Sequence, residues 1–188
     1  VPAFGLHPWF TAEEGWLEKL EEFLRRVPAL VGEIGLDGVK AVPGQEERFL
    51  AQLALAGSLR RPAVLHCVKS WGHMLELLKK ADLPAFMLHA YGGPAEMVKD
   101  FAGLNGYFSF GGDITDPKRE KLRAALAAVP PDRLLFETES PEPGAEGWRA
   151  GPAGLAEVLA AAAGVLGRPA EELAALSLAN AGNFIKNI

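Results

Sequence analysis

Imidazole and carboxylate side chains recur in this sequence where short β-rich runs give way to turns. In chain order they are His7, Glu33 with Asp37, His66, His89, and Glu137 with Glu139. Every histidine except His73 stands at such a position. Together they form a mixed nitrogen and oxygen donor set, the kind that suits zinc, manganese or iron-type divalent ions. A divalent ion in such a site lowers the pKa of a bound water and stabilises charge developing on a phosphoryl oxygen. A lone histidine after a strand is more often a hydrogen-bonded turn residue than a ligand. Glu33, His66 and His89 reverse those odds, because they occupy equivalent positions on successive strands.

The elements that would bring these residues together are legible as an alternation. Short apolar runs at Ala3–Leu6, Leu30–Ile34, Ala63–His66, Ala85–His89, Tyr107–Phe110 and Leu134–Glu137 lack polar alternation, as strands buried on both faces do. Helical stretches lie between them. Thr11 and Glu14 read as a capping box, followed by Trp16, Leu20, Phe23 and Val27 at helical spacing. Gln45–Leu59 places Phe49, Leu53 and Ala56 on one face; Trp71, Met74, Leu75 and Leu78 follow the i, i+3, i+4, i+7 template. Pro94 and Pro117 stand at expected first helical positions. Leu155, Val158, Leu159, Ala162 and Leu166 form another stripe, and Pro169–Ile188 reads as helical with a break near Gly182.

Six strands, each followed by a helix, predict right-handed βαβ units and parallel pairing in an α/β fold. An open doubly wound sheet lacks support, since no Gly-rich loop follows the first strand. A TIM-type barrel fits better, because its strand ends converge on one mouth and carry the chemistry. Eight units usually need about 250 residues, so six units in a short chain leave the first two β/α units missing.

The chain has 188 residues, a net charge of −5 and 19 Lys and Arg spread along its length. One domain spanning 1–188 is expected. Nothing resembles a basic stripe that would coat nucleic acid, so an anionic substrate would need a metal to supply positive charge. Cys67 is the sole cysteine, which excludes an internal disulfide and predicts a reducing, cytoplasmic setting. No apolar run reaches the ~20 residues of a membrane span, and the start of the chain has no signal-peptide pattern.

Several motifs carry a family resemblance. Gly5-Leu6-His7-Pro8, Gly32-Glu33-Ile34-Gly35-Leu36-Asp37, Leu65-His66-Cys67, Leu88-His89-Ala90-Tyr91-Gly92-Gly93 and Glu137-Thr138-Glu139-Ser140-Pro141 resemble, in order, the motifs of the TatD family of metal-dependent deoxyribonucleases. Gln45, Phe49 and Gln52-Leu53 match that family's Q-x-x-x-F-x-x-Q-L helix. The resemblance runs from Gly5 to the C-terminal helix and implies an amidohydrolase-like TIM-type barrel with a two-metal site and phosphodiester hydrolysis. It implies that Glu33 bridges both metals and that His66 and His89 complete one of them. Glu139 falls on a family aspartate that ligates the other metal and handles the nucleophilic water. His7 and Lys69 fall near the site as substrate contacts, Lys69 as a phosphate contact at best. The implied cofactors are zinc, manganese or magnesium, two in the family and one retained here. The implied substrate is DNA or a small phosphodiester, with no membrane partner.

Two departures weigh against a complete site. Glutamate at 139 adds a methylene where the family has aspartate, and preorganisation within ~0.5 Å matters for such ligands. The family's opening strand, which ends in His-x-His, has no counterpart here. Its absence would expose sheet edges and core, so either about 50 further residues precede Val1 or a partner, such as a second copy in a homo-oligomer, covers the gap. Two alternatives follow from this: a degenerate barrel that binds one metal or assembles without catalysing, and a metal hydrolase of C–N or ester bonds. The remaining candidates read as structural. Adjacent strand residues face opposite ways, so Cys67 reads as core rather than a dyad partner of His66. His73 reads as surface, and Trp16 and Trp71 as core anchors. Trp9 and Trp148 lie in loops near the mouth, where packing outweighs stacking on bases. Asp37, Glu137, Asp113 and Arg149 read as supporting groups, caps or surface charges.

Overall fold

The computed structural model describes residues 1–40, 42–139, 151–186 and 188. Trp148, Arg149, Ser140 and Pro141 lie outside the described residues. The chain divides into two compact units, one of Val1–His89, Gly103–Gly106 and Phe184–Ile188, the other of Ala90–Ala102 and Tyr107–Asn183.

In the first unit, four strands alternate with three helices: β1 (Ala3–Phe4), α1 (Trp16–Arg26), β2 (Leu30–Asp37), α2 (Gln45–Ser58), β3 (Ala63–Val68), α3 (Trp71–Leu78) and β4 (Phe86–Leu88). All three pairings, β1 with β2, β2 with β3 and β3 with β4, are parallel. Val31 pairs with Ala63, yet Ile34 pairs with Leu65, so β2 carries one residue more than its partner. That bulge lies across Gly32 and Glu33, and bulges re-aim side chains where they occur. Val31, Ile34, Phe49, Leu65, Met74 and Leu88 fill the core beneath it.

The second unit holds all but one residue each of α4 (Val98–Gly103) and β5 (Gly106–Phe110), then α5 (Glu120–Ala128), β6 (Leu134–Phe136), α6 (Leu155–Leu166) and most of α7 (Ala170–Ile185). Strands β5 and β6 pair in parallel. Tyr91 is its centre, wholly buried and edge-on to Phe108 and Phe110, with its hydroxyl donating to the Pro94 carbonyl at 2.7 Å.

The six predicted strands are all present. Several local expectations are not met. Helix α1 starts at Trp16 behind Gly15 in a left-handed conformation, without a side-chain cap, so Thr11 and Glu14 lie outside it. Its buried residue is Leu24, while Phe23 is 60% exposed and Trp16 only half-buried, as is Trp71. Helix α7 runs through Gly182 without a break, and α5 begins at Glu120, three residues after Pro117. A single glycine costs a helix only about 1 kcal/mol relative to alanine, which neighbouring turns offset.

Candidate metal centre

His7 lies three residues beyond β1, and His89 directly follows β4. Glu33 and His66 stand within β2 and β3, because β2 runs on to Asp37 and β3 to Val68, past the ends expected from the apolar runs. His66 Nδ1 lies 2.9 Å from Glu33 Oε1 and 3.3 Å from His7 Nε2, and His7 Nε2 lies 3.6 Å from the same carboxylate oxygen. His89 Nε2 is 3.9 Å from the other oxygen, Glu33 Oε2. Glu33 thus presents one oxygen to His7 and His66 and the other to His89. One donor atom each from His7, Glu33 and His66 lies within 4.8 Å of the others. This half-buried N/O set fits a divalent cation of the zinc or manganese type.

A second layer holds the first. His66 Nε2 lies 3.3 Å from Asp37 Oδ2, the far side of the ring from Glu33. With a cation held at Nδ1, the Nε2–H would donate to Asp37, so this contact would orient the ring for a ligand role. Asp37 is 3% exposed and accepts further bonds from Trp9 Nε1 at 2.6 Å and from the amides of Val39 and Lys40 at 2.7 and 2.8 Å. Burial favours its neutral form, but those donors win and hold the carboxyl well below the usual carboxylate range. Asp37 therefore stays ionised and ready to accept.

The Glu33 and His7 pKa values are both lowered, for opposite reasons. Burial alone raises the Glu33 pKa, but the His66 hydrogen bond and the charges of His89, His66 and His7 reverse this and lower it. Burial lowers His7, against the pull of Glu33. The two directions favour a neutral His7 and an anionic Glu33, the ligand forms.

The elements explain the register. Helix α2 offers two glutamines seven residues apart on one face, with buried Phe49 between them. Gln45 Oε1 accepts from the Asp37 amide at 2.8 Å and its Nε2 donates to the Asp37 carbonyl. Gln52, fully buried, accepts from the Leu6 amide at 2.6 Å and donates to the Leu6 carbonyl at 3.2 Å. Each side-chain amide mimics a neighbouring strand at a strand end and clamps the residue beside a site group. Gly35 is required for another reason. Its φ is +153°, and a Cβ there would stand 1.9 Å from the His66 carbonyl oxygen. Only glycine lets β2 come this close to the strand that carries His66.

In the second unit, Glu137 and Glu139 follow β6, both half-buried. Their Cγ atoms lie 3.6 and 3.7 Å from where a Cβ on Gly111 would stand, so the two side chains flank one glycine. Glu137 Oε1 accepts from the Ala90 amide at 2.8 Å, tying the end of β6 to the residue after His89. Glu139 sits at a φ of +54°.

The other sequence candidates separate clearly. Lys69 is exposed in the turn after β3, at the end that carries His66. Cys67 is buried and faces away from His66; burial pushes its thiol up to about 12, so it is not a nucleophile. His73 is exposed and pairs with Glu46 at 2.9 Å. Asp113 pairs with Arg119 on the surface. Trp9 is not packed away: it is 41% exposed and bonded to Asp37. Asp37 is the residue to which sequence reasoning gave too little; its place in the Gly32–Asp37 motif was the available signal.

Comparison with known proteins places this geometry. The chain is 34% identical over 190 residues to the uncharacterized metal-dependent hydrolase YjjV of Escherichia coli, covering 95% of this chain and 73% of that protein. It is 37% identical over 150 residues to the 3'-5' ssDNA/RNA exonuclease TatD of Edwardsiella piscicida, covering 73% of this chain and 56% of that one. The crystal structure of E. coli YjjV, a TatD homologue, matches with a TM-score of 0.86 at 31% identity, over 97% of this chain and 75% of that chain. A TatD-family hydrolase from Entamoeba histolytica shares the fold at 18% identity and a TM-score of 0.77. The strand–helix units are thus those of a TIM-type α/β fold. A family model described as TatD related DNase matches residues 1–186, and the chain belongs to that family.

Proposed function

We propose that this chain is a divalent-metal-dependent hydrolase of phosphodiester bonds, acting on single-stranded nucleic acid. The observation that carries the reading is the Glu33 carboxylate shared between His66 with His7 on one oxygen and His89 on the other. A cation held there activates water and stabilises charge on phosphoryl oxygens. Glu33, His66 and His89 are the proposed ligands, and the position of His7 supports it as a fourth contact or a substrate contact. Asp37 keeps the His66 ring oriented. Glu139 is the proposed further ligand and catalytic carboxylate, resting on its motif position, and Lys69 is a proposed phosphate contact.

The substrate follows from relatives named 3'-5' ssDNA/RNA exonucleases. It also agrees with a net charge of −5, since a metal-centred anion site needs no basic coat. Zinc or manganese suits the imidazole-rich set better than magnesium. The lone cysteine fits a reducing, cytoplasmic setting. No helix among the described residues is long and apolar enough to cross a membrane.

The test is hydrolysis of bis(p-nitrophenyl) phosphate and of a labelled single strand, with and without Mn²⁺. Metal-dependent cleavage should fall at least about 100-fold in Glu33→Gln, the scale of losing a positioned charge in a reacting site. Equal rates in wild type and Glu33→Gln would overturn the reading. The longer side chain at 139 favours a second reading, a one-metal protein that does not catalyse. Metal binding without turnover on any ester would select it.

A further inference from the structure

Beside the metal centre, Trp9 and Phe10 are consecutive aromatic residues left 41% and 59% exposed. Neither is idle. The Trp9 indole N–H donates to Asp37 Oδ2 at 2.6 Å, which fixes the plane of the ring. Trp9 stands edge-on to His7 with ring centroids 4.8 Å apart, and edge-on to His66 at 5.8 Å. Phe10 also meets His7 edge-on, at 6.2 Å. Lys40 completes the group, with Nζ 4.4 Å from the Trp9 ring centroid.

A tryptophan that served packing alone would bury its face and leave only its polar tip wet. Here the polar tip is the anchored end, on a 3% exposed carboxylate, while the residue as a whole stays 41% exposed. An indole held by its N–H, next to the candidate metal centre and with an ammonium group over its ring, has the chemistry of a nucleotide subsite. Every base has a π-face that stacks on such a ring, and lysine meets the adjoining phosphate.

We propose that Trp9, with Phe10 beside it and Lys40 above it, forms a base-stacking subsite for the nucleotide next to the scissile phosphodiester. Trp9 supplies the platform, and Lys40 exchanges its contact with the ring for one with the backbone phosphate. This deepens the phosphodiesterase reading and rests on it for the identity of the substrate. The consequence is a preference for strands that carry bases over strands that carry only phosphates.

The full chain in EDTA, where no cleavage occurs, is titrated against fluorescein-labelled oligo-dT and against an abasic strand with the same number of phosphates. Anisotropy gives both Kd values. Wild type should bind oligo-dT about 5- to 100-fold tighter than the abasic strand, the range of stacking on one aromatic. Trp9→Ala should erase that ratio, while Trp9→Phe keeps most of it. Lys40→Ala should weaken both strands and lower the salt slope by about 1. The abasic strand is the internal control for any damage that Trp9→Ala does to the fold. Equal binding of both strands by wild type, a base preference that survives in Trp9→Ala, or no binding of either strand overturns the subsite. Cleavage with Mn²⁺ in wild type without a base preference leaves the hydrolase standing and removes only the subsite; base preference without cleavage does the reverse.

Discussion

At the scale of single residues, the site is governed by who donates to whom around one buried aspartate. Asp37 accepts from two amides, an indole and an imidazole, and this concentration of donors outweighs the cost of burying its charge. Its folded pKa is depressed, so it contributes stability that is fully present above its unfolded value of about 4 and is lost as pH falls from there through the folded value. Asp37→Asn should therefore be less stable than wild type in urea titrations at pH 7 and equally so at pH 5. The gap should narrow only below about pH 4. A gap that is already closing between pH 7 and 5 would show that a histidine, not Asp37, sets the dependence. The sequence carried Asp37 in a specific motif but left its partners open, because Trp9 and Lys40 lie on either side of it in the chain and no spacing rule predicts an indole N–H. Glu33, His66 and His89 were legible earlier, since strand ends in parallel α/β folds meet at one end.

At the scale of elements, α2 is the clamp that sets two strand ends. Gln45 and Gln52 are seven apart, two helical turns, so both reach the strands while Phe49 fills the core between them. Each uses both ends of its amide on one backbone residue, the geometry of a strand neighbour. Gln52→Leu keeps the volume but leaves the Leu6 amide and carbonyl unpaired, which costs about 1–3 kcal/mol. Urea unfolding should report that loss, and metal affinity should fall beyond it, because Leu6 precedes His7. Gln52→Glu, which still accepts from the Leu6 amide, should recover part of the metal affinity; a Gln52→Leu protein with unchanged metal affinity would reduce the clamp to a stability device. The strands themselves were legible from apolar runs bounded by turn signals. The bulge at Gly32–Glu33 was not, because a bulge exists only relative to a partner strand and β3 is 30 residues away. Nor was the start of α1: Thr11 and Glu14 have capping-box spacing, but a cap also needs the following residues to turn, and the helix begins after Gly15 instead.

For the whole molecule, the charge balance and the ligand set make one demand together. A chain of net charge −5 that gathers Glu33 and Asp37 among half-buried histidines at one sheet end gains most from a bound cation. Binding to the folded state alone stabilises by mass action, about 2.7 kcal/mol at a free concentration a hundred times Kd. For a chain this long that corresponds to a rise in Tm of about 5–10 °C. EDTA-treated protein should show this rise on adding Mn²⁺ or Zn²⁺, and Glu33→Gln should abolish most of it, since the carboxylate that faces three histidines is gone. His73→Ala should keep it in full, because His73 is exposed and paired with Glu46 away from the centre. Differential scanning fluorimetry of the three proteins decides the matter independently of any activity. A shift that persists in Glu33→Gln would place the cation elsewhere, and no shift in wild type would leave the histidine and carboxylate cluster without the role its geometry supports.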